Sequence, residues 1–273
     1  MNIGVFDSGL GGLTIFKSLL ENLPEYNYIY LGDNARVPYG NRSQEIIYQF
    51  TKEAIDFLFK QNCQLIILAC NTATSTSLHK IQQEYLPKFY PDRRVLGVIK
   101  PVTEKITDRN FKKIGVIGTK ATINSGAFTR EIKKTLPDAL ILQQSCPLLV
   151  PYIEDSGRND KVLQLILKEY LAGLKKENID SLVLACTHYE IIKKEIQREI
   201  GPQVEVISEG KIVADKLRSY LTKHLDIEKK LEKKKQRTYF VTDLSQDFKK
   251  LMRLFLGSHA NEASIKQIKI DNG

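Results

Sequence analysis

The chain has 273 residues, 42% of them hydrophobic and 27% charged, enough for one large or two small globular domains with substantial cores. With Gly 16 and Pro 9 it is no low-complexity chain, and no apolar run approaches the roughly 20 residues that a membrane span needs. The net charge of +9 is concentrated at the end: residues 211–273 hold 15 Lys/Arg against 8 Asp/Glu, leaving a nearly neutral 26 against 24 elsewhere. The densest stretch, Lys229 to Arg237, has the composition to touch nucleic acid or an acidic surface, but a solvated helix end or loop carrying charge is the favoured reading. Met1 to Asp7 has no basic segment followed by an apolar run and a cleavage site, so a cytoplasmic protein is expected. In that reducing compartment four cysteines are buried, metal-binding or catalytic thiols rather than a disulfide framework.

In chain order, Ile3-Gly4-Val5-Phe6 reads as a short buried strand running into Asp7-Ser8-Gly9-Leu10-Gly11-Gly12 and then a helix over about Leu13 to Leu20. The glycines permit a tight turn and close ligand approach to the amides at a helix start, where anions are favoured. They spell neither a dinucleotide nor a P-loop signature, and a turn that simply needs small residues explains them as well. A second strand, Tyr28 to Leu31, ends in the turn-rich loop Gly32 to Gly40. A helix over about Ser43 to Lys60, a strand over Gln64 to Ala69 and a helix through Thr74 to Tyr85 follow. Near-continuous apolar strands alternating with crossover-length connections predict an α/β fold with a mostly parallel sheet. Ligands gather beyond the carboxyl ends of such strands, where Asp7, Asp33 and Cys70 stand.

The pattern restarts near Val95. Ile3-Gly4-Val5 recurs 111 residues on as Ile114-Gly115-Val116, and Leu68-Ala69-Cys70 recurs 116 residues on as Leu184-Ala185-Cys186. Both repeats point to two related halves whose strand ends meet in one cleft, with a cysteine from each. A thiol on either side of a ligand suits racemisation, which removes a proton from one face of a tetrahedral carbon and returns one to the other. Helix N-termini and hydrogen bonds lower a thiol's pKa from about 8.5, and His188 lies two residues beyond Cys186. Three other readings stay open at this point: cysteines as small buried hydrophobes, zinc held by Cys70, Cys186, His188 and Asp7, and covalent catalysis by one cysteine with His188 as base. Cys63 and Cys146 lack the polar sequel and read as packing residues.

The chain resembles the glutamate racemases, cofactor-independent members of the Asp/Glu racemase family that make D-glutamate for bacterial peptidoglycan. The likeness rests on Phe6-Asp7-Ser8-Gly9-Leu10-Gly11-Gly12-Leu13-Thr14, Gly32-Asp33-Asn34-Ala35-Arg36-Val37-Pro38-Tyr39-Gly40, Ala69-Cys70-Asn71-Thr72-Ala73-Thr74, Gly118-Thr119 with Thr122, and Cys186-Thr187-His188-Tyr189. It spans about residues 3 to 220 and leaves out the basic tail. It implies Cys70 and Cys186 as the acid/base pair, with Asp7 and His188 assisting on their respective faces. Asp7 with Ser8, Tyr39 with Gly40, Asn71 with Thr72, and Thr187 with His188 are implied as substrate-contacting pairs, joined by Thr119 and Thr122. Glu154 matches a family glutamate near the active site. The implied fold is α/β, two pseudo-symmetric three-layer domains with mostly parallel sheets facing a shared cleft: residues 1–98 plus 211–273, and residues 99–210. Neither pyridoxal phosphate nor metal is implied, and the expected partners are glutamate and a second copy in a homodimer, with no membrane or nucleic-acid partner. The alternatives are an aspartate-type racemase and a basic nucleic-acid-binding protein on an inactive racemase fold. This chain departs from the family pattern at Ala185, where glycine is usual, at Glu190, where proline is common, and at Ser208-Glu209-Gly210, where many members have Asp-Ser.

Overall fold

The computed structural model describes residues 1–155, 159–262 and 264–270. Its first part runs β1 (Asn2–Asp7), α1 (Leu13–Asn22), β2 (Tyr28–Gly32), α2 (Gln44–Lys60), β3 (Cys63–Leu68), α3 (Asn71–Lys80), a π turn (Ile81–Tyr85), α4 (Leu86–Phe89), β4 (Arg94–Gly97) and α5 (Ile99–Arg109). Next come β5 (Lys113–Gly118), α6 (Lys120–Asn124), α7 (Ala127–Lys133), β6 (Leu140–Ser145), α8 (Leu149–Glu154), α9 (Asp160–Lys176), β7 (Ser181–Ala185), α10 (Lys193–Ile200) and β8 (Glu205–Ile207). The chain closes with α11 (Gly210–Lys223), α12 (Leu225–Glu228), β9 (Arg237–Val241), α13 (Phe248–Leu256) and β10 (Ser264–Gln267).

The strands form two sheets with every pairing parallel, one in the order β10-β9-β2-β1-β3-β4 and the other β6-β5-β7-β8. Helices cover both sides, so the predicted α/β fold with two related parallel sheets is met. The relatedness is topological. β2-β1-β3-β4 and β6-β5-β7-β8 are the same order, and the repeated tripeptides fall at equivalent places, Ile-Gly-Val within β1 and β5 and Leu-Ala-Cys at the ends of β3 and β7. In this order the chain reverses direction across the sheet between the first and third strands, which opens the crevice where open α/β sheets bind ligands. Ser8 follows β1 and Cys70 follows β3; Thr119 follows β5 and Cys186 follows β7.

The elements form for local reasons. β1, β2, β3 and β7 are buried along nearly their whole length, as central parallel strands must be when helices cover both faces. Ser43 caps α2 by accepting the Ile46 N–H, and Asn62, Asn110 and Asn178 end α2, α5 and α9 in the left-handed conformation that asparagine tolerates. One cluster of buried side chains runs from Ile3 and Phe16 under the first sheet to Leu182 and Ile196 under the second, with Val213, Ala214 and Leu217 of α11 between. At about 1.5–3 kcal/mol for each fully buried Leu or Ile, this shared core is a strong bond between the halves.

Two boundaries differ from expectation. Val95 belongs to β4 and pairs with Ile66 of the first sheet, so the repeat restarts at Lys113. The helix expected from Thr74 starts at Asn71, because Cys70 is its cap and the small polar residues that read as loop are its first turn. The basic stretch is partly neutralised in place: Lys233 pairs with Glu228 and Lys234 with Glu232, while the Arg237 guanidinium donates to the Tyr26 and Pro24 carbonyls. Among the described residues no helix is long and apolar enough to cross a membrane.

Candidate active site

A cavity of about 220 Å³ opens where the strand ends of the two sheets meet. Its lining takes Ser8, Tyr39, Gly40, Cys70, Asn71 and Thr72 from the first sheet's connections and Thr119, Ala185, Cys186, Thr187 and His188 from the second's. Both cysteines that the repeat singles out therefore reach one cavity from equivalent strand ends.

Cys70 sits between β3 and α3, its sulfur 3.3 Å from Ser8 Oγ and accepting the Ala73 N–H at 3.4 Å. These donors favour thiolate, but burial and then the Asp7 carboxylate outweigh them and push the thiol up to about 11. Cys186 is raised well above the ordinary thiol value, again chiefly by burial, with the His188 backbone N–H pulling the other way. Each negative charge in the group opposes the next: Cys70, Asp7 and Glu209 all disfavour a Cys186 thiolate. Both shifts favour the neutral thiol over the thiolate at neutral pH.

Each thiol has an acid/base neighbour. Asp7 at the end of β1 is buried and accepts the Gly9 N–H at 2.9 Å through Oδ2, and the Gly9 and Gly12 amides both favour its carboxylate. Burial raises its carboxyl, offset in part by His188. His188 places Nδ1 3.9 Å from Cys186 Sγ and Nε2 2.9 Å from Glu154 Oε1, with the Phe255 ring edge-on at 5.2 Å. Glu154 lines the cavity as well, so it faces the site rather than plain solvent.

The hydroxyl donors come as a cluster. Thr72, Thr119 and Thr122 hydroxyls lie 2.9–3.2 Å apart in all three pairings, which carries a polar contact from the start of α3 to the start of α6. Gly40 fits because its Cα faces Thr119; a Cβ there would come within 2.7 Å of Thr119 Cβ. Tyr39 is fixed from below. Asp33 Oδ2 accepts from Tyr39 Oη at 2.5 Å and from Arg36 Nε at 2.6 Å, and Oδ1 accepts from Thr242 at 3.0 Å. Asp33, a strand-end candidate in the sequence, is therefore a strut beneath the cavity rather than part of its wall.

The catalytic and substrate-contacting positions implied by the resemblance all converge on this region: Asp7 and Thr122 lie buried beneath the wall, and the others line it. Sequence reasoning missed three features. Cys146, read as packing, is buried but also lines the cavity. Gly11 presses on His188, a proximity no local pattern announces. Glu209, noted only as a departure, is buried and accepts from Asn71 Nδ2 at 2.7 Å; its position at the junction after β8, equivalent to the other strand ends, was the available signal. Cys63 is a packing residue, fully buried against Gly4.

Known proteins share this arrangement over nearly the whole chain. The model of the Asp/Glu/hydantoin racemase family matches residues 3–217. A glutamate racemase of Persephonella marina is 39% identical over 271 residues, 99% of each chain, and one of Aquifex aeolicus is 38% identical over 258 residues, 94% of each. The crystal structure of the Francisella tularensis glutamate racemase in complex with D-glutamate superposes with a TM-score of 0.88 at 34% identity, covering 99% of this chain and 98% of that one. An aspartate racemase of Picrophilus torridus, at 17% identity and a TM-score of 0.56, shares the fold alone. On this agreement of sequence, topology and full-length coverage, the chain belongs to the Asp/Glu/hydantoin racemase family and is an isomerase.

Proposed function

We propose that this protein interconverts L- and D-glutamate by a two-thiol acid/base mechanism without a cofactor. The observation that carries the reading is the meeting of Cys70 and Cys186, from equivalent ends of two sheets of the same strand order, in one cavity. A lone buried cysteine is ordinary packing; two at matched positions facing one void are not accounted for by packing.

In this mechanism Ser8, Asn71, Thr72, Thr119 and Thr187, with Tyr39 and Gly40 across the cavity and Thr122 supporting Thr72 and Thr119, hold the two carboxylates through hydroxyl, amide and backbone donors. Asp7 and backbone carbonyls receive the ammonium. The ammonium brings positive charge into a site otherwise crowded with acids, which favours a thiolate at the moment a substrate is present. One thiolate takes the α-proton while the opposite thiol delivers its own to the other face, and reversal exchanges the roles. Asp7 relays protons for Cys70, and His188, oriented by Glu154, does so for Cys186. Donors to the α-carboxylate strengthen as the carbanion spreads charge onto it.

The relatives' glutamate racemase identity supports glutamate over aspartate as the substrate. The same reading places the enzyme in the cytoplasm, as a homodimer, supplying D-glutamate to peptidoglycan synthesis. The test is incubation with L-glutamate, and separately L-aspartate, in deuterated water without added cofactor, following optical rotation and deuterium at the α-carbon. Loss of rotation with deuterium entry for glutamate is expected; no exchange with either amino acid ends the reading.

A further inference from the structure

We propose that Glu209 acts through Asn71 as a positioning residue for the racemisation site, its carboxyl and the Asn71 amide forming a two-point acid–amide pair. Glu209 stands after β8 at the entry to α11, and Asn71 is the first residue of α3, immediately after Cys70. The pair therefore spans the two halves, 138 residues apart in sequence. Both side chains are 3% exposed. One contact is made, Asn71 Nδ2 donating to Glu209 Oε2 at 2.7 Å. The remaining atom of each group, Asn71 Oδ1 and Glu209 Oε1, is buried without a hydrogen-bond partner among the described residues.

Two orphaned acceptors on already bonded planar groups are costly as they stand, but a proton on the carboxyl turns one into a donor for the other. Each group then has one donor and one acceptor facing its opposite. The surroundings favour that proton: burial is the largest influence, and although the Asn71 amide donor favours the carboxylate, Glu190 after β7 and Asp7 at the end of β1 add to burial, so the net shift is well upward. Cys186 faces it at the end of β7, and the neighbouring lysines are engaged elsewhere, Lys211 with Asp215 Oδ2 at 2.7 Å and Lys193 with Ser208 Oγ at 2.8 Å. A neutral Glu209 also spares Cys186 a neighbouring negative charge. Fixed in this way, Asn71 presents a single orientation to the cavity it lines, beside the Cys70 thiol.

The inference rests on the racemase reading, and the test separates them. Glu209→Met, similar in size but unable to pair, is expected to lose roughly ten- to a hundredfold in kcat/KM. Glu209→Gln, which offers Nε2–H to Asn71 Oδ1 and accepts from Nδ2, is expected to recover most of it, to within about threefold of wild type. In an Asn71→Ala background, Glu209→Met should add almost nothing, because its route to the site is already gone. Circular dichroism verifies folding, and if Glu209→Met does not fold, Glu209→Gln alone decides: retained kcat/KM supports the neutral pair, whereas a tenfold or greater loss overturns it. Wild-type rates for Glu209→Met, or full additivity with Asn71→Ala, also overturn it. A wild-type protein inactive on glutamate and aspartate would instead remove the racemase reading.

Discussion

The Thr14 hydroxyl, in the first turn of α1, donates to the Thr187 carbonyl at 3.1 Å and to the Gly11 carbonyl at 2.9 Å, tying the turn after β1 to the loop after β7. The proposed proton transfer on two faces of one carbon requires the two strand ends to keep a fixed distance, and this contact helps to hold it. The glycines of the same turn let it close. A Cβ on Gly12 would fall 2.4 Å from Asp7 Cβ, and one on Gly11 2.2 Å from His188 Nδ1.

Gly11→Ala is accordingly expected to displace His188 from Cys186 rather than merely to crowd the core. Overpacking of this kind costs about 1–3 kcal/mol. Thermal unfolding should show that loss, and the folded variant should lose kcat at least about tenfold, since small misplacements of a proton-transfer group weigh heavily on rate. An alanine variant with native kcat would show that the ring does not serve Cys186.

Cys70→Ser and Cys186→Ser should each lower racemisation by about 10²–10⁴-fold, the usual contribution of a general acid or base. A serine hydroxyl fills the space of the thiol but is a far poorer proton acceptor, so folding should be kept. Polarimetry on both enantiomers checks the rate, and circular dichroism the fold. Near-native racemisation by either variant would refute the paired role.

Much of this site was legible because chemistry and punctuation coincide in the sequence. Apolar runs ending in Asp7, Cys70 and Cys186 mark strand ends, and parallel sheets carry ligands there. The recurrence of Ile-Gly-Val and Leu-Ala-Cys also pointed to matched halves, which the shared strand order bears out. What sequence hid was long-range. Nothing local tells that Gly11 abuts His188, that Asp33 props Tyr39, or that Glu209 reaches Asn71 across 138 residues. The start of α3 was misplaced for a related reason: cysteine is an unusual cap, and only its geometry, φ −70° and ψ 120° with Sγ accepting the Ala73 N–H, identifies it.

Cys70 in the ligand-free protein should react with iodoacetamide slowly at neutral pH, and its rate should keep rising towards pH about 11. An ordinary thiol levels off above its pKa of about 8.5, because only the thiolate attacks. Mass spectrometry of the Cys70 peptide after timed alkylation from pH 7 to 10 reads this directly, within the range where circular dichroism shows native fold. A plateau by pH 9 would mean that the Ser8 and Ala73 contacts outweigh burial.

Glu209 gives stability a pH dependence whose sign is fixed by its raised pKa. The unfolded chain releases this proton near 4.5, the ordinary glutamate value, whereas the folded chain retains it to higher pH. Above 4.5 the native state therefore binds the extra proton, and stability falls as pH rises. The contribution is fully present below the unfolded value and is lost once pH passes the folded one. Asp7 shifts in the same direction but is common to wild type and to Glu209→Gln, which cannot ionise at position 209. The difference in Tm, variant minus wild type, should consequently become more positive from pH 5 to pH 8. Parallel Tm curves across that range would show that Glu209 is not a buried neutral acid.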